Sequence, residues 1–345
     1  MASHEKYMQR CLQLAELGLG QVSPNPMVGA VIVHNDKIIG EGFHRNYGEA
    51  HAEVNAIESV SEKSLLKEST LYVNLEPCSH FGKTPPCSDL IIEKEIPRVV
   101  VANLDPFDKV NGSGIQKLKD AGIEVITGVE EKAGAELNRR FFTFHQKQRP
   151  YIVLKWAESR DGFMDVEREE GEKGVYWISH PNTKKLVHKW RSEEAAVMVG
   201  ANTAQNDNSA LTVREIKGPQ PIRILIDPNE KVSHKNRIFD GSIDTLVFGK
   251  ENRSKDNTEW IAVHDKTSLV PEMLRILHQR DIQSVLIEGG PTTLTEFLRA
   301  GCWDEARKIT GDVHLLKGKK APHPGVKPTE SYSFGADLIE IFYRQ

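Results

Sequence analysis

Apolar side chains recur at helical spacing over residues 5–18, at Tyr7, Cys11, Leu14 and Ala15, and Gly18 and Gly20 stop the run. Val28 to Val33 is continuously apolar, which predicts a strand covered on both faces. Lys37 to Phe43 reads as its hairpin partner across Asn35-Asp36. Beyond it the pattern predicts helices over 50–60, 87–94, 113–121 and 130–146, and strands over 70–75, 98–103 and 124–127. Alternation of this kind implies a mostly parallel sheet with helices on its faces, an α/β fold. The polar stretch His145-Gln-Lys-Gln-Arg-Pro150 interrupts it, so we set a domain boundary there, with one domain over 1–147 and another over 150–345. The second restarts with a strand over 151–156, followed by a charged loop over 167–173 and a helix over 182–191. Strands over 196–199, 222–226, 245–248 and 284–287 and helices over 271–279 and 291–299 make it a second α/β unit. The C-terminal stretch, rich in Lys, Pro and Gly, gives no assignable pattern.

Of the 345 residues, 39% are apolar and 27% charged, which excludes disordered and fibrous classes. The net charge of -4, with no basic run, argues against a nucleic-acid binder. Four cysteines, Cys11, Cys78, Cys87 and Cys302, are too few for a disulfide framework and suit a reduced compartment. No apolar leader and no membrane-spanning run of ~20 residues is present, so a cytoplasmic location and no membrane partner are expected.

Chemistry concentrates in His51-Ala-Glu53 and Pro77-Cys78 with Cys87. A catalytic zinc takes three ligands from His and Cys and leaves a fourth position for water. His51, Cys78 and Cys87 supply that set. Glu53, two residues after His51 in the first turn of a helix, can reach that water without ligating and is expected to serve as the general acid/base, the logic of zinc deaminases. Pro77-Cys78 closes a strand, and Cys87 opens a helix, where the dipole favours a thiolate. Eight residues separate the cysteines, against the two usual in such sites. Two alternatives stay open: a deaminase of RNA or free bases carrying a non-reductase C-terminal domain, and a zinc-stabilised binding module without catalysis.

In the second half Gly-x-Gly-x-x-Gly is absent. Ser284-Val-Leu-Ile-Glu288 followed by Gly289-Gly290-Pro291 suggests instead a glycine turn feeding a helix N-terminus, a place for an anion.

These segments resemble the bifunctional riboflavin-biosynthesis deaminase/reductase family. The resemblance rests on Pro24-Asn-Pro-Met-Val-Gly29, His51-Ala-Glu53 and Glu76-Pro-Cys-Ser-His-Phe-Gly-Lys-Thr-Pro-Pro-Cys87. In the second half it rests on Lys155-Trp-Ala-Glu-Ser-Arg-Asp-Gly162, Trp177-Ile-Ser179, residues 200–214 and Glu288-Gly-Gly-Pro291. It implies a cytidine-deaminase-like three-layer domain followed by a dihydrofolate-reductase-like α/β domain. The implied reactions are zinc-dependent deamination of a diaminohydroxy-phosphoribosylamino-pyrimidine and NADPH reduction of its ribosyl group to ribityl. By position, Asn25, His44, His80 and Lys83 would line the deaminase pocket, with Asn103 and Asp105 at its border. Ala157, Trp177, Thr203, Asp207, Gly290, Pro291, Thr292, Thr293, Leu294, Thr295 and Glu296 would hold NADPH. Lys155, Arg191, Leu211, Arg214 and Glu288 would face the substrate, with Arg191 and Arg214 as a phosphate clamp. A homo-oligomer is also expected. Asn208-Ser209 departs from the family's usual Asp-Pro, and Val175 stands where Ser is frequent.

Overall fold

A computed structural model describes residues 2–81, 85–107, 112–169, 172–263 and 269–344. The chain forms two compact units, Met1–Lys147 and Gln148–Gln345.

In the first unit the strands are β1 (Gly29–His34), β2 (Lys37–Phe43), β3 (Thr70–Leu75), β4 (Arg98–Asn103) and β5 (Glu124–Thr127). The helices are α1 (Ala2–Glu16), α2 (Ala52–Ser59), α3 (Cys87–Glu93), α4 (Ser113–Asp120), α5 (Glu131–Leu137) and α6 (Arg139–Lys147). The strand order is β2-β1-β3-β4-β5. The sheet is mixed rather than mostly parallel: β1 runs antiparallel to β2 and β3, and only β3, β4 and β5 are parallel. A two-residue hairpin forces the first reversal, with Asn35 and Asp36 both at positive φ.

Strand alternation divides β1 between two cores. Val31 and Val33 meet Tyr7, Met8, Cys11 and Leu14 of α1, while Ala30 and Ile32 meet Ala52, Ala56 and Ile57 of α2. The result is three layers. Helix α2 lies almost on the backbone of β2. A Cβ at Gly42 would overlap the Ala56 backbone and stand 2.6 Å from the Ala52 carbonyl oxygen. The single helix expected over 130–146 breaks at Asn138, which is 3% exposed and turns its amide onto the Met27 backbone at 2.8 Å through both donor and acceptor.

The second unit contains β6 (Tyr151–Glu158), β7 (Phe163–Asp165), α7 (Thr183–Glu193), β8 (Ala196–Gly200), α8 (Ala201–Asp207), β9 (Ile222–Ile226) and β10 (Thr245–Gly249). These are followed by β11 (Arg253–Lys255), β12 (Thr258–Ala262), α9 (Leu269–Gln279), β13 (Ser284–Ile287), α10 (Pro291–Arg299), β14 (Glu305–Thr310), β15 (Lys319–Lys320), β16 (Glu330–Phe334) and β17 (Asp337–Tyr343). Ten strands form one sheet in the order β11-β12-β10-β9-β8-β13-β6-β14-β17-β16, and β7 pairs with β15 apart from it. The centre is parallel, and β11, β16 and β17 add antiparallel margins. Helices α9 and α10 cover one face through Met273, Leu277, Leu294 and Phe297, and α7 covers the other through Val187 and Trp190.

The C-terminal stretch ends in the β16–β17 hairpin, with Ile339 and Ile341 buried and Gly335 at φ +62 in its turn. No helix among the described residues is long and apolar enough to cross a membrane.

Candidate active sites

In the first unit, His51 takes the extended N-cap position of α2, Cys78 follows the end of β3, and Cys87 is the first residue of α3. Three loops thereby deliver three donors to one point. The His51 Nδ1 atom lies 3.3 Å from Cys87 Sγ and 3.6 Å from Cys78 Sγ, and the ligand atoms of the trio all lie within 4.8 Å of one another. Ligands held ~2.0–2.3 Å from one tetrahedral centre stand roughly 3.4–3.8 Å apart, so a zinc ion fits this triangle. Among the described residues the cluster has no fourth protein donor, which suits an open position. Hydrogen bonds from the Cys87 thiol and from His51 hold the Cys78 thiol well below its ordinary range. The Cys87 N–H also donates to Cys78 Sγ at 3.3 Å.

Glu53, 3% exposed, sits in the first turn of α2 beside this trio. Burial raises its carboxyl to about 7, the range suited to taking up and giving back a proton. His44 is buried next to His51, their rings edge-on with centroids 5.5 Å apart. Its Nδ1 donates to the Ala50 carbonyl at 3.1 Å, and its Nε2 accepts from the Asn25 amide at 3.0 Å. Burial lowers the His44 pKa and keeps this neutral tautomer. Thus Asn25, His44 and His51 form one contiguous wall. His80 is exposed, with its ring 6.3 Å from that of Phe107, and Lys83 lies outside the described residues.

Three further residues hold this site and escaped the sequence reading. Asn74 and Asn138 both grip Met27: the Asn74 amide accepts from Gly29 N–H at 2.8 Å and donates to the Met27 carbonyl at 3.0 Å, alongside Asn138. They thereby fix the loop carrying Asn25. Glu76, 4% exposed, accepts four backbone N–H bonds, from Asp105, Gly112, Gly114 and Ile115, at 2.9–3.2 Å. It ties the segment leading to Cys78 to the start of α4. Asp105 is packed beside it, and burial raises its carboxyl to about 7. Asn103 donates to the Glu131 carbonyl at 3.0 Å. In the sequence the only traces of these roles are Asn74, a polar residue inside an apolar strand pattern, and Glu76, at the head of the cysteine motif.

In the second unit a cavity of about 560 Å³ opens over the C-terminal ends of β6, β8, β9 and β13, where parallel sheets place ligands. Lys155, Ala157, Trp177, Thr203, Asp207 and Glu288 line it, as do Gly290, Pro291, Thr292, Thr293 and Glu296. Pro291 is the first residue of α10. A Cβ at Gly290 would stand 2.7 Å from Thr203 Oγ1, so glycine lets α8 and the start of α10 approach closely.

Five expected residues fall elsewhere. Leu294 points into the core beneath α10, because it lies on that helix's apolar stripe, and Thr295 does not line the cavity. Leu211, at φ +52, buries its side chain in the opposite core. Arg191 donates to both Glu288 oxygens, at 2.5 and 2.7 Å, and to the Thr212 carbonyl at 2.9 Å, so its fork is engaged within the protein rather than open to a phosphate. Arg214 is half-exposed, and its backbone N–H donates to His188.

Burial pushes the Glu288 carboxyl up, but Arg191 and then Lys155 outweigh it and hold the group at about 2. Burial lowers the Lys155 pKa, with Glu288 opposing. Burial lifts Asp207 to about 6. Met164, Asp165 and Arg168, which the sequence reading did not single out, close one side of the cavity. This arrangement gives a fixed anion, a partly buried amine on the cavity wall and a roomy groove.

Residues 150–338 match the RibD C-terminal domain family, and residues 1–103 match the cytidine and deoxycytidylate deaminase zinc-binding region. The riboflavin biosynthesis protein RibD of Aquifex aeolicus is 41% identical over 99% of this chain and 98% of its own. The chain belongs to the RibD family.

The RibD of Bacillus amyloliquefaciens is 40% identical over 92% of this chain and 86% of its own length. Among solved structures, the diaminohydroxyphosphoribosylaminopyrimidine deaminase/5-amino-6-(5-phosphoribosylamino)uracil reductase of Thermotoga maritima superposes with a TM-score of 0.88 at 37% identity, covering 99% of both chains. Acinetobacter baumannii RibD gives 0.89 at 31%, also over 99% of both. As a RibD, the chain is a bifunctional riboflavin-biosynthesis enzyme with a cytidine-deaminase-like zinc domain and a dihydrofolate-reductase-like domain that uses NADPH. The reductase match sets aside a deaminase with an unrelated C-terminal domain, and the deaminase fold sets aside a binding module.

Proposed function

We propose that residues 1–147 deaminate a diaminohydroxy-phosphoribosylamino-pyrimidine and that residues 150–345 reduce the ribosyl group of the product to ribityl. The observation that carries this reading is the His51, Cys78 and Cys87 triangle with buried Glu53 beside it and no fourth protein donor among the described residues. His51, Cys78 and Cys87 would hold zinc, which would supply Lewis acidity toward water at neutral pH. Glu53 would take a proton from the attacking water and return it to the departing amine, and burial raises its carboxyl into the range that suits both. Asn25, oriented by His44, pairs with the edge of the pyrimidine ring, and the family resemblance assigns His80 and Lys83 to the same substrate.

In the reductase, NADPH supplies hydride when bound. Ala157, Trp177, Thr203, Asp207 and the 290–296 segment hold it, mostly through cavity-lining atoms. Lys155 is assigned as the proton-bearing group: burial lowers its pKa, and Glu288, locked by Arg191, opposes that shift. Arg214, the more exposed of the two arginines, is left to meet the substrate phosphate. Thr295, Leu294 and Leu211 act only through backbone or packing. We also assign the enzyme to the cytoplasm, which fractionation tests. Self-association through the outer strand β16 is tested by sedimentation.

The test is incubation with the phosphorylated pyrimidine, with and without NADPH, following ammonia and NADPH absorbance together. Glu53→Gln should keep zinc, lose ammonia release and still oxidise NADPH when given the deaminated compound. Loss of both activities in a folded variant overturns the two-site reading.

A further inference from the structure

The order of strands beneath the reductase cavity is β6-β13-β8-β9. Neighbouring strands lie ~4.8 Å apart, so the cavity spans roughly 14 Å from β6 to β9. Its contents change along that line. Lys155 and Glu288, the ionisable pair suited to the reacting groups, stand over β6 and β13. Gly290 and Thr293 occupy the middle, at the start of α10. At the far end, Ile226 and the α9 residues Leu269, Val270 and Met273 form an apolar wall. A dinucleotide with its nicotinamide at Lys155 therefore has its adenosine over β9. The extra phosphate that separates NADPH from NADH belongs to that adenosine.

The loop leaving β9 bears on this phosphate. Asp227 directly follows the strand; in a Rossmann fold an acid after a strand accepts from a ribose 2′-hydroxyl and selects NADH. Here it is 3% exposed, and both oxygens are consumed by the loop: Oδ1 accepts from Lys231 N–H at 2.9 Å and Oδ2 from Val232 N–H at 2.8 Å. That turn brings Lys231 to the cavity wall. The other cations there are occupied at the opposite end: Arg168 and Lys319 on Asp165, and Lys155 beside Glu288. Glu230 is drawn away by Arg253 at 3.1 Å. Among the described residues Lys231 makes no ion pair, and its recorded bonds are those of its backbone.

We infer that Lys231 is the residue that selects NADPH over NADH, by meeting the 2′-phosphate of the adenosine, while Asp227 is a positioning residue for it. The inference rests on the cofactor placement proposed above. Calorimetric titration of the zinc-loaded full chain with NADP+, NAD+, 2′,5′-ADP and 5′-AMP tests it. Lys231→Ala should weaken NADP+ and 2′,5′-ADP by about 10- to 100-fold and leave NAD+ and 5′-AMP within about twofold, while Lys231→Arg keeps the preference. Equal losses for both pairs, or no loss, overturn the role of Lys231. Ala201→Trp, which obstructs the cavity, separates the two failures. If it abolishes NADP+ binding while Lys231→Ala is silent, the cavity stands and the lysine assignment falls. If both are silent, the cofactor placement falls too.

Discussion

Replacing Glu76 by glutamine removes one carboxylate oxygen and puts an NH2 group against backbone donors. Each Glu76 oxygen now serves two N–H groups, at 2.9 and 3.2 Å in both cases. The variant keeps two of these bonds and leaves two donors in a pocket that is 4% exposed. A buried donor without a partner costs about 1–3 kcal/mol, so losing partners for two should cost about 2–6 kcal/mol. It falls on the segment that holds Cys78 in place. Zinc release into a chromogenic chelator along a urea gradient reports this unit separately, because all five tryptophans lie in the other one. We expect zinc to leave at a markedly lower urea concentration in Glu76→Gln, while the tryptophan transition stays unchanged. A release midpoint equal to that of the parent would refute the idea that this carboxylate braces the metal loop.

Arg191→Leu leaves Glu288 buried without its partner and should destabilise the second unit by about 3–5 kcal/mol, read by tryptophan fluorescence. Folding lowers the Glu288 pKa from 4.5 to about 2. Its ionised form therefore stabilises the native state above pH 4.5, and that contribution, about 3 kcal/mol, disappears as the pH falls toward 2. Acid titration of the parent should show this loss in the tryptophan signal, and Arg191→Leu should lack it. Asn138→Leu frees the loop carrying Asn25 by removing two bonds to Met27, and should cut deamination kcat/KM by about 10-fold or more at unchanged zinc content.

Much of the fold can be read from local pattern because strands such as Val28–Val33 are apolar on both faces and helices such as α10 open with Pro and keep one apolar stripe. The metal trio can be read for a related reason: donor identity and element boundaries coincide, with His51 opening α2 and Cys87 opening α3. What escaped depends on partners distant in the chain. Nothing around Asn138 announces a helix break, since its amide is satisfied by Met27, 111 residues away. Arg191 and Arg214 look alike as arginines, and only the fold decides that the first is spent on Glu288. Helix α8 is short and polar, so periodicity could not mark it, and the β16–β17 hairpin was hidden by the Lys, Pro and Gly before it.

The bare backbone of β2 at Gly42 has an effect beyond packing. Because α2 rests on main chain there, the depth of its first turn, and with it the reach of His51 toward the two thiols, is set by the missing side chain. A methyl group added there would press on the Ala56 amide and the Ala52 carbonyl, shift the first turn of α2 and move the imidazole relative to the two thiols. Directed evolution of substrate preference would then find position 42 tolerated only as glycine, through the helix it supports.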